Sequence, residues 1–181
     1  MVGEKTLLWG HIPEAPPDPI VGVAAAFRAD PATQKVNLGV GAYRDAKGKP
    51  YVLPVVHKVE KALLEAGEDH EYLPIEGLAA FNIASQKLIL GKDCNAIKEG
   101  RVVTMQSLSG TGSLRVAFEF IAKYYRYPVG SNNVPKVYVP NPTWSNHNQI
   151  VPAAGLGDTQ KYRYYDAKTG GVDYENMCAD L

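Results

Sequence analysis

Residues 107–112 read Ser-Leu-Ser-Gly-Thr-Gly and fall between an apolar stretch ending at Gln106 and a helical pattern starting near Ser113. A helix leaves its first N–H groups without intrahelical acceptors, so a turn placed there faces free donors and the positive end of the helix dipole. Gly110 and Gly112 let the backbone approach a ligand, and Ser109 and Thr111 add hydroxyl donors. The arrangement suits an anion such as phosphate, although glycines that merely tighten a strand-to-helix turn would read the same. Two phosphate loops are excluded or weakened. A nucleoside-triphosphate loop requires Gly-Lys-Ser/Thr, which is absent. A dinucleotide fingerprint requires a third glycine where Arg115 stands and an acidic residue where the next strand ends in Asn141-Pro142.

Trp144 follows Pro142-Thr143 at the carboxyl end of an apolar strand, the edge at which open α/β sheets bind ligands. An indole there can stack on a flat ring, or it can fill a core. His147 lies three residues on, on the same helical face, where it can orient a neighbour or simply cap the helix. Lys87 falls on the polar side of a helical pattern and reads as a solvated amine. Cys94 and Cys178 are too far apart for a zinc pattern and too few for a disulfide framework, which suits a reducing compartment.

The elements that must position these residues follow from periodicity. Pro13, Pro16, Pro17 and Pro19 make residues 12–18 an extended arm. Pro19 opens a helix with Ile20, Val23, Ala24 and Phe27 on one face, ending near Asp30-Pro31; Gly22 and the alanines at 24–26 make it small-sided. Residues 36–43 are apolar but broken by Gly39 and Gly41, marking a short strand or tight turn. A helix through Val55, Val56, Val59 and Leu63 stops at Gly67, and another with Leu78, Phe81 and Leu88 stops at Gly91. Residues 101–142 read as a βαβ unit: a strand through Val102, Val103 and Met105, a helix over 113–126, and a strand over 137–139. The helix should turn Leu114, Ala117, Phe118, Ile121 and Tyr125 inward and Arg115, Glu119 and Lys123 outward. A short helix after Pro142, a third strand over 161–166 and a final helix capped by Asp173 complete the pattern. The fold class expected is α/β: part of a mainly parallel sheet flanked by helices, preceded by an extended arm. The last helix and the small sheet suggest a sequence that continues beyond Leu181 in an intact protein.

Lys plus Arg equals Asp plus Glu at 19 each, so no bulk field would draw the chain to nucleic acid or an anionic membrane. No window reaches the ~18 consecutive apolar residues of a membrane span, and residues 1–19 carry Glu4, Glu14 and Asp18, unlike a presequence. A cytoplasmic location is the expectation.

Five blocks taken together extend this reading. VNLGVGAYRD (36–45), YVLPVVHKVE (51–60), HEYLPIEGL (70–78), QSLSGTGSLR (106–115) and PNPTWSNH (140–147) resemble, in this order, the aspartate aminotransferases of the class I, fold-type I pyridoxal-phosphate group. The resemblance runs from about Trp9 to Leu181. It implies an exchange of the amino group between L-aspartate and 2-oxoglutarate, with pyridoxal 5′-phosphate as cofactor, in a homodimer. It implies that Ser109, Gly110 and Thr111 hold the cofactor's phosphate. Trp144 would pack on its ring and contact substrate carboxylate, and His147 would stand behind the aspartate that pairs with the ring nitrogen. Gly41 would meet the substrate's α-carboxylate, and Tyr72 would reach the phosphate of the partner subunit's cofactor. Residues 1–50 would be the N-terminal arm and first segment of the small domain, and 51–181 the N-terminal part of the large cofactor-binding domain. The family's Schiff-base lysine, its Asn-Pro-Thr-Gly turn, the aspartate under the ring and the substrate-clamping arginines have no counterpart here. Transamination needs such an amine, so the 181 residues alone are expected to be catalytically incomplete, with a non-catalytic subunit-interaction or phosphate-binding role as the alternative.

Overall fold

A computed structural model describes residues 8–14, 19–126, 128–130 and 132–181, without the side chains of 19–21. The chain divides into two compact units, Met1–His70 and Glu71–Leu181. Part of the expected arm, residues 15–18, lies outside the described residues.

In the first unit, α1 (Pro19–Ala29) starts at Pro19 and ends before Pro31, as its sequence requires. Of its expected apolar face, Ala24 is buried and Phe27 half-buried, whereas Val23 is exposed. Lys35 folds back on the helix end, donating from Nζ to the Phe27 carbonyl at 2.7 Å with the ammonium 4.7 Å from the Phe27 ring centroid. A cation is favourable where carbonyls are left unpaired. Residues 36–43 form no strand. The nearest ladder contact is an isolated bridge between Arg44 and Pro50, around a turn in which the Asp45 carboxylate accepts from the backbone of Lys47 and Lys49. The helix α2 (Pro54–Ala66) follows, with proline in its first turn and left-handed Gly67 as its stop.

In the second unit, α3 (Ala79–Leu90) and the single turn α4 (Asn95–Lys98) precede α5 (Ser109–Tyr124). β1 (Tyr138–Asn141) and β2 (Gln160–Arg163) pair in parallel, Tyr138 opposite Gln160 and Asn141 opposite Arg163, with α6 (Ser145–Ala153) as the connection. The crossover helix packs against α5, and Val139 of β1, Ile150 and Val151 of α6, and Ala154 and Leu156 just after it are buried, Val151 completely. This is the core that fixes α6. The expected third strand is two strands: β2 stays in the parallel pair, whereas β3 (Tyr165–Asp166) turns away to pair antiparallel with β4 (Gly171–Val172). Asp166 drives that turn. Its carboxylate accepts from the Lys168 amide and the Thr169 hydroxyl, contacts that hold its pKa below the usual value. The final helix α7 (Tyr174–Asp180) is capped by Asp173, which accepts from the Asn176 amide at 3.3 Å. It is clasped to β2 by Arg163, whose Nε and Nη2 reach the two Asp180 oxygens at 2.9 and 2.6 Å while the Arg163 amide adds a third bond at 2.8 Å.

Two further expectations are corrected. Residues 102–105 form no strand, because no neighbouring segment among the described residues offers them a ladder. Instead the chain there is held by one residue: Gln106 donates its amide to the Glu76 carbonyl (2.9 Å) and accepts the Leu78 amide on Oε1 (3.0 Å). Gly77 permits this approach. It sits at φ +87°, and a Cβ there would lie 2.2 Å from Gln106 Cβ. Second, α5 begins at Ser109, four residues earlier than its apolar pattern indicates, and none of its residues is fully buried. Leu114, Phe118 and Ile121 are half-buried, but Ala117 and Tyr125 are exposed. The outward stripe is as expected, with Arg115 Nε 3.1 Å from Glu119 Oε2.

No helix among the described residues is long and apolar enough to cross a membrane. No cluster of three metal-ligating side chains occurs among them.

Candidate functional site

The site is built where two helices begin. Ser109 opens α5 in the left-handed region, at φ +58°, with its amide bonded to the Ser107 carbonyl at 3.0 Å. A non-glycine residue there costs roughly 1–2 kcal/mol. The first regular helical bond is Gly112 N–H to the Leu108 carbonyl, 3.0 Å. The amides of Gly110 and Thr111 therefore precede the ladder and have no acceptor among the described residues. Gly112 keeps the turn tight, since a Cβ there would press on Leu108 Cβ at 3.0 Å and Ser107 Oγ at 3.2 Å. The result is two free N–H groups beside a threonine hydroxyl on a helix of 16 residues, a donor set that fits a phosphate dianion.

The second helix brings the aromatic groups. β1 ends at Asn141, a cis Asn141–Pro142 peptide follows, and Trp144 occupies the N-cap position of α6. Trp144 is 40% exposed, enough to leave part of the indole open to a ligand. Its ring meets that of His147 edge-on, 5.5 Å between centroids and 87° between planes. His147 Nδ1 lies 2.8 Å from Thr143 Oγ1. That bond fixes the imidazole and leaves Nε2 without a partner among the described residues. Asn146, between them, donates from Nδ2 to Thr111 Oγ1 at 3.2 Å, which ties the start of α6 to the start of α5.

The structure thus brings Ser109, Gly110, Thr111, Trp144 and His147 into one cluster. Tyr72 stands apart, 96% exposed in an irregular segment with its amide on the Glu71 carboxylate. Gly41 belongs to the first unit, where the Ala42 amide bonds back to the Val40 carbonyl at 2.9 Å, and a Cβ on Gly41 would meet nothing within 4 Å. Lys87 is an exposed residue of α3. Sequence reading missed Asn146 and the role of Thr143. The 143/147 spacing of four carries a signal for one, but nothing local announces a bond across 35 positions. Beside the cup, Ile75, Val103, Met105, Val116, Phe120 and Ile121 line an open apolar cleft of about 660 Å³.

Free amides beside a hydroxyl at one helix start and an indole at the next, tied together by Asn146 near the carboxyl end of a strand in a parallel pair, are an arrangement that α/β folds offer to ligands. The family model for aminotransferases of class I and II matches residues 33–181, and the chain belongs to that family. Among its relatives, the mitochondrial aspartate aminotransferase of Xenopus tropicalis is 49% identical over 179 residues, covering 99% of this chain and 40% of that protein. A mitochondrial aspartate aminotransferase of Lupinus angustifolius is 53% identical over 170 residues, covering 94% and 36%. The solved aspartate aminotransferase of the Saccharomyces cerevisiae cytoplasm superposes with a TM-score of 0.81 at 37% identity, covering 95% of this chain and 40% of that one. An aromatic-amino-acid aminotransferase from Burkholderia pseudomallei, covalently bound to pyridoxal phosphate, gives 0.83 at 43% identity, covering 96% and 41%. The chain spans about two fifths of the length of the curated relatives it matches.

Proposed function

We propose that this chain forms the phosphate- and ring-holding part of an aspartate aminotransferase that exchanges the amino group between L-aspartate and 2-oxoglutarate. The observation that carries the reading is the pair of unpartnered amides of Gly110 and Thr111, joined through Asn146 to the Trp144–His147 pair. The cofactor proposed is pyridoxal 5′-phosphate, which when bound supplies a reactive aldehyde and an electron-withdrawing ring. Gly110, Thr111 and Ser109 hold its phosphate by hydrogen bonds to the charged group, the strong kind. Trp144 covers the flat ring and excludes water from one face, and His147, fixed by Thr143, presents Nε2 as a positioning contact. Gly41 is assigned to the substrate's α-carboxylate, and Tyr72 to the partner subunit's cofactor in a homodimer. Residues 1–50 are read as arm and first small-domain segment, and 51–181 as the large domain's N-terminal part. A cytoplasmic location is kept as part of this reading. No lysine among the described residues stands in the cluster, so proton transfer at the substrate carbon is assigned to a group outside it.

The test is equilibrium binding of pyridoxal 5′-phosphate and of phosphate-free pyridoxal to the 181-residue protein carrying Trp9→Phe, followed by indole fluorescence and then borohydride reduction with peptide mapping. The expected result is quenching of Trp144 by the phosphorylated compound, competed by inorganic phosphate, without a uniquely labelled lysine. Equal binding of both compounds would defeat the phosphate cup. One lysine labelled at unit stoichiometry would place a complete site within this chain.

A further inference from the structure

Two hydroxyls in the first turns of α5 are used in opposite ways. Ser113 Oγ donates to the Ser109 carbonyl at 2.8 Å, the back-bond to residue i−4 that helical Ser and Thr commonly make. Thr111, two residues earlier, makes no such bond. Its oxygen accepts from Asn146 Nδ2 instead, and its proton has no acceptor among the described residues. The Ser107 carbonyl that a back-bond from Thr111 would use accepts the Ser109 amide. A hydroxyl has one proton and two lone pairs. With an amide donor occupying a lone pair, the O–H is polarised and its proton must point elsewhere. It then remains available at the same helix end as the free amides of Gly110 and Thr111.

We infer that Asn146 is a positioning residue that holds the Thr111 hydroxyl as a donor toward the bound phosphate. The inference rests on the phosphate reading of the cup. Because Asn146 sits between Trp144 and His147 on α6, the same bond sets the spacing of the cup from the aromatic pair. A residue that only supported the fold would act regardless of what Thr111 carries. Asn146 should act only through that hydroxyl.

The experiment is a double-mutant cycle of Asn146→Ala and Thr111→Val in the 181-residue protein, reading Kd for inorganic phosphate, pyridoxal 5′-phosphate and pyridoxal by calorimetry. Asn146→Leu, close to asparagine in shape but lacking the donor, is the second variant. Asn146→Ala and Asn146→Leu are expected to weaken both phosphate ligands roughly tenfold, the size of one hydrogen bond to a charged group. Pyridoxal binding should not change, and neither variant should weaken phosphate further in the Thr111→Val background. An equal loss in both backgrounds, or a parallel loss of pyridoxal, overturns the inference. Tight phosphate binding by the unmodified protein that is untouched by either Asn146 variant also overturns it while sparing the cup. An unmodified protein that binds phosphate no better than pyridoxal removes the cup itself, and the inference with it.

Discussion

The helices α5 and α6 begin within one hydrogen bond of each other, yet they are supported in different ways. α6 connects the two strands of a hydrogen-bonded parallel pair and buries Ile150 and Val151. α5 lies beside residues 102–105, which have no ladder partner among the described residues, and it leaves Val116 and Phe120 exposed along the apolar cleft. Both sequences are amphipathic. The difference shows that an apolar face is covered where paired strands flank it, so the hydroxyl and amides at the start of α5 are held chiefly by local turns and by Asn146, whereas Trp144 opens the helix that carries the buried residues.

Truncation on the two helices should separate them most. Val151→Ala removes methyls from a fully buried position and is expected to cost about 2 kcal/mol. Phe120→Ala, at a residue 61% exposed, should cost less than about 1 kcal/mol despite deleting a ring. Urea midpoints followed by circular dichroism give both numbers, and equal losses would mean that the α5 face is covered in solution. A smaller effect is expected on acidification. The hydrogen bonds from Arg163 hold the Asp180 carboxyl at about 2, below its ordinary 3.8. A folded-state pKa below the unfolded value gives stability that is present above the ordinary value and is lost as pH falls through the lowered one. The α7 amides should therefore gain hydrogen exchange between pH 4 and 2 in excess of α6 amides, and Asp180→Asn should abolish that excess. The smallest expected change is at Ser109→Gly. Relief of the left-handed backbone is nearly cancelled by the added freedom of the unfolded chain, for a net gain of about 0.5 kcal/mol or less in thermal unfolding, with weaker phosphate binding from the lost hydroxyl.

The same contrast explains what was legible beforehand. Helices announce themselves locally, and α1, α2, α3, α6 and α7 begin and end close to where Pro19, Gly67, Gly91, Pro142 and Asp173 place them. Strands depend on distant partners, so an apolar run at 102–105 reads as a strand but forms none, and 161–166 reads as one strand but is shared between two pairs. The donor group at Ser109, Gly110 and Thr111 was legible because glycines and hydroxyls before a helix have a local physical meaning. The earlier start of α5 was not, since two glycines argue against helix by about 1 kcal/mol each and the Gly112–Leu108 bond prevails regardless. Asn146 was hidden because its partner is remote in the chain. The resemblance supplied Tyr72, and it gave a role to Gly41, which the residues marked only as a break in an apolar run.

The close approach at Gly77 also limits where Tyr72 can go. The Gly77 amide bonds to the Pro74 carbonyl at 2.8 Å, and Gln106 grips the turn from both sides. Tyr72 is two residues upstream of that turn, so even fully extended backbone lets its Cα stray only about 7 Å from Pro74. Whatever the tyrosine serves must lie within one side-chain length of this short leash. The residue holding the leash is also the one immediately before Ser107, so the tyrosine and the turn that opens α5 share a single mount. A side chain at position 77 would disturb both at once, and a lesion there would present as two defects with one cause.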